Sequence, residues 1–114
     1  MSAAPASVVP FVTGLRSRPG RVRLGGEGGP RITVRVELPE QWDTIAFDVR
    51  ADNPVLELKR EALAQFGLGD VFPADYVLKL RGFEVVHELA PVADTGARNG
   101  STFLLTHRRR RPVH

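Results

Sequence analysis

The side chains with the most evident chemical potential lie at the end of the 114-residue chain, in THRRRRPVH, where Arg108, Arg109, Arg110 and Arg111 form an unbroken cationic run. Adjacent guanidinium groups can contact phosphates or carboxylates, but no aromatic residue is interleaved to stack bases. A second stretch, RLGGEGGP at 23–30, has the glycines of a phosphate-binding loop. The pattern places no strand before it and no helix after it, and it lacks the Lys and Ser or Thr of a P-loop, so it reads as a linker. His87, His107 and His114 are dispersed and cysteine is absent. Disulfides, thiolate metal sites and thiol catalysis are thereby excluded, and neither a metal nor a cofactor is expected. No nucleophile has a base nearby in the sequence, and the carboxylates fall where solvation explains them, so the chain is not expected to be an enzyme.

The net charge of +3 conceals an uneven distribution. Residues 1–30 carry Arg16, Arg18, Arg21 and Arg23 against Glu27, a balance of +3, and the tail from 108 adds +4. The intervening 31–107 hold eight basic and twelve acidic side chains, a balance of −4. Basic ends on an acidic body point away from a nucleic-acid-binding face on the folded domain. Polyanion or nucleic-acid binding through the arginine-rich ends is kept as a secondary reading. No apolar run approaches the roughly 20 residues of a membrane span, and the first residues lack the basic start of a secretory signal. A cytoplasmic protein is the expectation.

The elements that must position these residues follow from hydrophobic periodicity. In RITVRVEL (31–38), Ile32, Val34, Val36 and Leu38 alternate with Arg31, Thr33, Arg35 and Glu37, the pattern of a strand with one wet face. DTIAFDVR (43–50) repeats it with Ile45, Phe47 and Val49, and PEQW (39–42) joins the two as a hairpin turn. Trp42 is expected to be the one large apolar residue left partly exposed. A helix of about 13 residues follows, with Asn53 as N-cap and Pro54 at its first position. Val55, Leu58, Ala62 and Phe66 form its apolar face, Lys59, Arg60, Glu61 and Gln65 its polar face, and Gly67 its stop. YVLKL (76–80) is a third strand with Leu78 and Leu80 inward and Lys79 outward. FEVVHEL (83–89) is a short fourth and STFLLTH (101–107) a fifth.

One apolar stripe on the helix must bury against one sheet face. The expected class is α+β, a β-grasp with a mixed sheet of four to five strands and one helix packed across it. Residues 1–30, with Pro5, Pro10, Pro19 and Pro30 and many glycines, read as a flexible basic arm. The domain then spans 31–107 and the basic tail 108–114. Within the last loop, VADTGA (92–97) is similar to the run around the catalytic aspartate of aspartic proteases. Only 20 residues follow Asp94, too few for a flap and a second apolar half, so the segment reads as a turn with Gly96 supplying positive φ.

From Arg31 to Arg111 the order of motifs resembles ubiquitin and its relatives. TIAFDVRADNPVLELKREALAQFGL resembles the family's second strand and helix, with Leu58-Lys59 where ubiquitin has Val-Lys. VLKLRGFEVVHEL resembles its third strand, glycine turn and short fourth strand, and DTGARNGSTFLLTHRRRR its final loop, last strand and basic tail. Conjugating members end in Gly-Gly, whereas the corresponding positions here are Arg111 and Pro112. The positions of ubiquitin's apolar docking patch correspond to Lys79, Leu104 and Thr106, a more polar set. The resemblance therefore implies a non-catalytic protein-protein interaction module. Its docking surface would comprise Lys79, Leu104 and Thr106 on the sheet with Arg108, Arg109, Arg110 and Arg111 in the tail, and its partner would be another protein. A modifier conjugated through an atypical or processed C-terminus is the alternative. PADYVLKLRG is also similar to a strand of Ras-binding domains, which share the fold and pair an edge strand with their partner. That likeness makes Arg31, Arg35 and Arg50 candidate contacts, with a solvated charge ladder as the competing reading.

Overall fold

A computed structural model of the chain describes residues 16–108. Its strands are β1 (Arg16–Leu24), β2 (Arg31–Leu38), β3 (Asp43–Arg50), β4 (Tyr76–Leu80), β5 (Phe83–Glu84) and β6 (Ser101–His107), with one α-helix, α1 (Val55–Gln65). They form a single mixed sheet in the order β1-β3-β2-β6-β4-β5. β2 and β3 make the expected antiparallel hairpin, in register from Arg31 opposite Arg50 to Leu38 opposite Asp43. β6 inserts parallel to β2 and antiparallel to β4, so the last strand sits near the middle of the sheet.

The period-2 pattern sorts the two faces. Val34, Val36, Leu38, Ile45, Phe47, Val49, Leu78, Phe103 and Leu105 are buried on the face covered by α1, which contributes Val55, Leu58, Ala62, Leu63 and Phe66. Gly67, at φ +82°, ends the helix: its N–H donates to Ala64 O (3.1 Å) and that of Leu68 to Leu63 O (2.7 Å), satisfying two carbonyls of the last turn.

Several expectations require correction. Residues 16–24, read as part of a flexible arm, form β1, which lies parallel to β3 along the hairpin's outer edge. Val22 and Leu24 pack against the core while Arg21 and Arg23 occupy the alternate positions. The register shifts between Ser17 and Arg21, where Pro19 has no N–H to give and Gly20 takes φ +80°. The glycine run is no loose linker. It carries the chain past the end of β3 from β1 to β2, and arginines hold its carbonyls: Arg31 donates to Leu24 O and Gly26 O (both 2.8 Å), and Arg50 Nη1 to Glu27 O (2.8 Å).

The fourth strand is also shorter than FEVVHEL suggests. After Glu84 the chain makes one more sheet bond, Val85 N–H to Leu78 O (2.8 Å), and then turns toward the start of α1. There Ala90 O accepts from Val55 N–H (3.0 Å) and Glu88 O from Leu56 N–H (2.7 Å). These loop carbonyls do the work assigned to an Asn53 side-chain cap. Asn53 Nδ2 instead donates to Glu57 Oε1 (2.6 Å), and Pro54 stays extended ahead of the first helical residue.

Lys59, placed on the polar helix face by its residue type, is fully buried. Its Nζ donates to Glu88 Oε2 (2.6 Å) and Tyr76 O (2.8 Å), tying α1 to the 85–90 loop and to β4.

Candidate functional site

The sheet face opposite α1 carries no covering element among the described residues, and every outward side chain on it can be placed from the register. One row across the strands runs Glu84, Lys79, Leu104, Glu37 and Thr44. The next toward the chain's tail pairs Val77 with Thr106, and the next in the other direction runs Thr102, Arg35, Ala46 and Arg21. Lys79, Leu104 and Thr106 therefore share one face in adjacent rows, each half-buried. Lys79 makes no ion pair or hydrogen bond among the described residues. Val77, which the pattern did not single out, lies on this outer face and is nonetheless buried.

Arg108 is better anchored than the first residue of a mobile tail would be. Its N–H donates to Asp75 O (2.6 Å), its Nε to Ala74 O (3.1 Å), and its Nη2 lies 3.3 Å from Glu84 Oε2. These contacts lay the side chain along β4 on the side that carries Val77. Arg109, Arg110 and Arg111 lie outside the described residues.

The edge-pairing reading of Arg31, Arg35 and Arg50 meets an obstacle. β1 occupies the outer edge of β3, the hairpin edge that a partner strand would have to join. Arg31 is committed to Asp48 Oδ1 (2.9 Å) and to backbone carbonyls. Arg50 is committed to Asp52 (2.9 and 2.8 Å), and that hydrogen-bonded guanidinium holds the Asp52 carboxyl below its ordinary range. Of the three, Arg35 alone is unengaged among the described residues.

The last loop resolves as the expected turn. Asp94 lies in a 3₁₀ turn, Val92–Thr95, closed by Gly96 at φ +90°, with Thr95 Oγ1 donating to Val92 O (2.7 Å). Asp94 and His87 both line an open groove of about 510 Å³, whose apolar part comes from Leu80, Phe83, Val85 and Val86. No hydrogen bond among the described residues joins His87 to Asp94, and no three potential metal ligands cluster there. Trp42, at φ +52° and 65% exposed, is not the sole exposed large apolar residue: Phe72, Phe83, Val86 and Leu89 are more so. All lie in turns or at the short edge strand, where no layer covers them. No helix among the described residues is long and apolar enough to cross a membrane.

No protein-family model matches the sequence, and no curated protein matches it either. Solved structures do match the fold. The C-terminal ubiquitin-like domain of mouse tubulin-specific chaperone e is 16% identical, with a TM-score of 0.62 over 77% of this chain and 97% of that one. A ubiquitin from Caldiarchaeum subterraneum is 14% identical, with a TM-score of 0.59 over 70% and 96%. A ubiquitin-like domain from Arabidopsis thaliana is 15% identical, with a TM-score of 0.57 over 75% and 85%.

Proposed function

We propose that this chain, whose fold is the ubiquitin-like β-grasp, acts as a non-catalytic module that binds another protein through the sheet face around Lys79, Leu104 and Thr106, extended by the arginines that follow Arg108. Domains of this fold are often protein-interaction modules. The observation that carries the reading is the uncovered outer face itself: Lys79, Leu104 and Thr106 stand half-buried in adjacent rows of it, and Lys79 has no ion-pair or hydrogen-bond partner among the described residues. A sheet face of mixed apolar and charged side chains offers both contact area and orientation to a protein partner.

The test compares the full chain with Lys79→Glu, Leu104→Asp and a truncation after Arg108, each checked by thermal melting. Proteins crosslinked to the wild type in its native source should be lost from the two face variants and weakened by the truncation. Undiminished crosslinking by folded face variants would remove this surface from consideration. Arg108 is retained in the truncation because its contacts with Asp75, Ala74 and Glu84 belong to the fold.

A further inference from the structure

Arg21 on β1 and Arg35 on β2 both stand opposite Ala46 of β3, one on each side. Neighbouring strands lie about 4.8 Å apart, which sets the two arginine backbones roughly 10 Å from each other with only a methyl group between them. Over that methyl lies an open hollow of about 610 Å³, walled by the two arginines with Thr44 and Asp48, and bordered by Gly20, which has no side chain to fill it.

The electrostatics of the hollow are one-sided. Asp48 is the acid in its wall, and it is already held by Arg31 Nε (2.9 Å) and Arg23 Nη1 (3.6 Å). Neither Arg21 nor Arg35 makes an ion pair or hydrogen bond among the described residues. Thr44 adds an independent sign of a missing ligand. It is only 8% exposed, and its Oγ1 has no hydrogen-bond partner. Such orphaned groups are uncommon, because leaving one buried costs about 1–3 kcal/mol.

We infer that this hollow is a carboxylate subsite: an Asp or Glu side chain in an acidic segment of a partner protein enters between Arg21 and Arg35, and rotation of the Thr44 side chain turns its buried Oγ1 out to donate to the same carboxylate. Two guanidinium forks converging on one carboxylate give charge-assisted, directional hydrogen bonds. Asp48 and Glu37, the latter opposite Thr44 across the register, flank the position. Their repulsion grows with ligand charge, which favours a singly charged carboxylate over a phosphate. The inference rests on the outer face being a docking surface and adds the chemistry of what docks at one end of it.

The test is a titration of the isotope-labelled full chain with a hexaglutamate peptide, followed by amide NMR at low salt and at physiological ionic strength. Inorganic phosphate and an oligothymidylate are titrated in parallel. The expected result is salt-sensitive shifts at Arg21, Arg35, Thr44 and Ala46. Arg21→Gln and Arg35→Gln should each weaken peptide binding about fivefold. Ala46→Leu, which fills the gap while keeping both cations, should abolish it, and thermal melts confirm that each variant is folded. Shifts confined to the Lys79 and Leu104 region would overturn the subsite and leave the docking face standing. Peptide binding that survives Ala46→Leu, that disappears on removing residues 109–114, or that is weaker at this row than phosphate or oligothymidylate binding would also overturn it.

Discussion

Replacing Glu88 by alanine should destabilise the protein far more than replacing its partner Lys59 by methionine. In Glu88→Ala the ammonium of Lys59, fully buried, keeps Tyr76 O (2.8 Å) but loses the charge-assisted bond to Glu88 Oε2 (2.6 Å). Such a bond is worth about 1.5–3 kcal/mol, and breaking a buried pair from one side costs about 3–5 kcal/mol because the remaining charge is stranded. Glu88 is itself 21% exposed, so water can reach part of the vacated space, which places the expectation near the lower end, at about 3 kcal/mol. In Lys59→Met the stem volume is kept, the buried charge is gone, and Glu88 turns to solvent. The cost should be no more than about 1 kcal/mol, mainly the bond to Tyr76 O. For a domain of this size, about 3 kcal/mol corresponds to a fall in Tm on the order of 15 °C. Urea titrations with a common slope, supported by thermal melts, read both variants. If Lys59→Met proves as damaging as Glu88→Ala, the stranded-charge reasoning is wrong and the pair is acting chiefly through packing.

Three further outcomes follow from the geometry. Gly25→Ala should cost about 2 kcal/mol in urea titration, because Gly25 sits at φ +89° and a Cβ there would press into Asn53 Oδ1; a change below about 0.5 kcal/mol would contradict the placement of the loop. A chain starting at Gly25 would lose β1 and leave the edge of β3 unpaired, so sedimentation should show concentration-dependent self-association, whereas a strictly monomeric product would count against β1 as edge cover. Tyr76, the single tyrosine, is buried and donates to Glu40 Oε2 (3.0 Å); burial first, then the Glu40 carboxylate, push its phenol up from 10.0. Its neutral form is favoured in the folded state, so its contribution is complete below about pH 10 and is lost as pH rises through the folded value. Absorbance titration should show ionisation delayed relative to urea-unfolded protein, with Tyr76→Phe losing that part of the alkaline destabilisation; coincident titrations would refute the coupling.

The hairpin, α1, β4 and β6 were legible because each is amphipathic over its whole length. β1 was not, since only Val22 and Leu24 alternate with arginines between Pro19 and the glycine run, and its reason to be a strand is an edge that only the folded hairpin supplies. Missing it also misplaced the charge: with residues 16–24 in the sheet, basic side chains lie on the folded face as well as at the ends. Lys59 was misread although its position was informative. It falls with Val55, Ala62 and Phe66 at spacings of four, seven and eleven, the centre of the buried stripe, and residue type outweighed position in the reading. Asn53 illustrates the converse, a good local cap signal superseded by carbonyls from residues 88 and 90. Lys79 was placed outward by alternation, and Leu104 and Thr106 were reached through the resemblance to ubiquitin, while Arg21 was out of reach until β1 existed.

The order of the strands has a consequence for how the protein is made. β2 pairs with β6 through residues such as Val36 and Phe103, and 63 positions separate Leu38 from Ser101. At about 5–20 residues per second, a ribosome takes roughly 3–13 s to cover that interval. Throughout it the central face of β2 has no strand to pair with, and β4 has no neighbour to connect it to the hairpin. The nascent chain therefore spends seconds with open strand edges on β2 and β4, and it completes its fold only when β6 emerges.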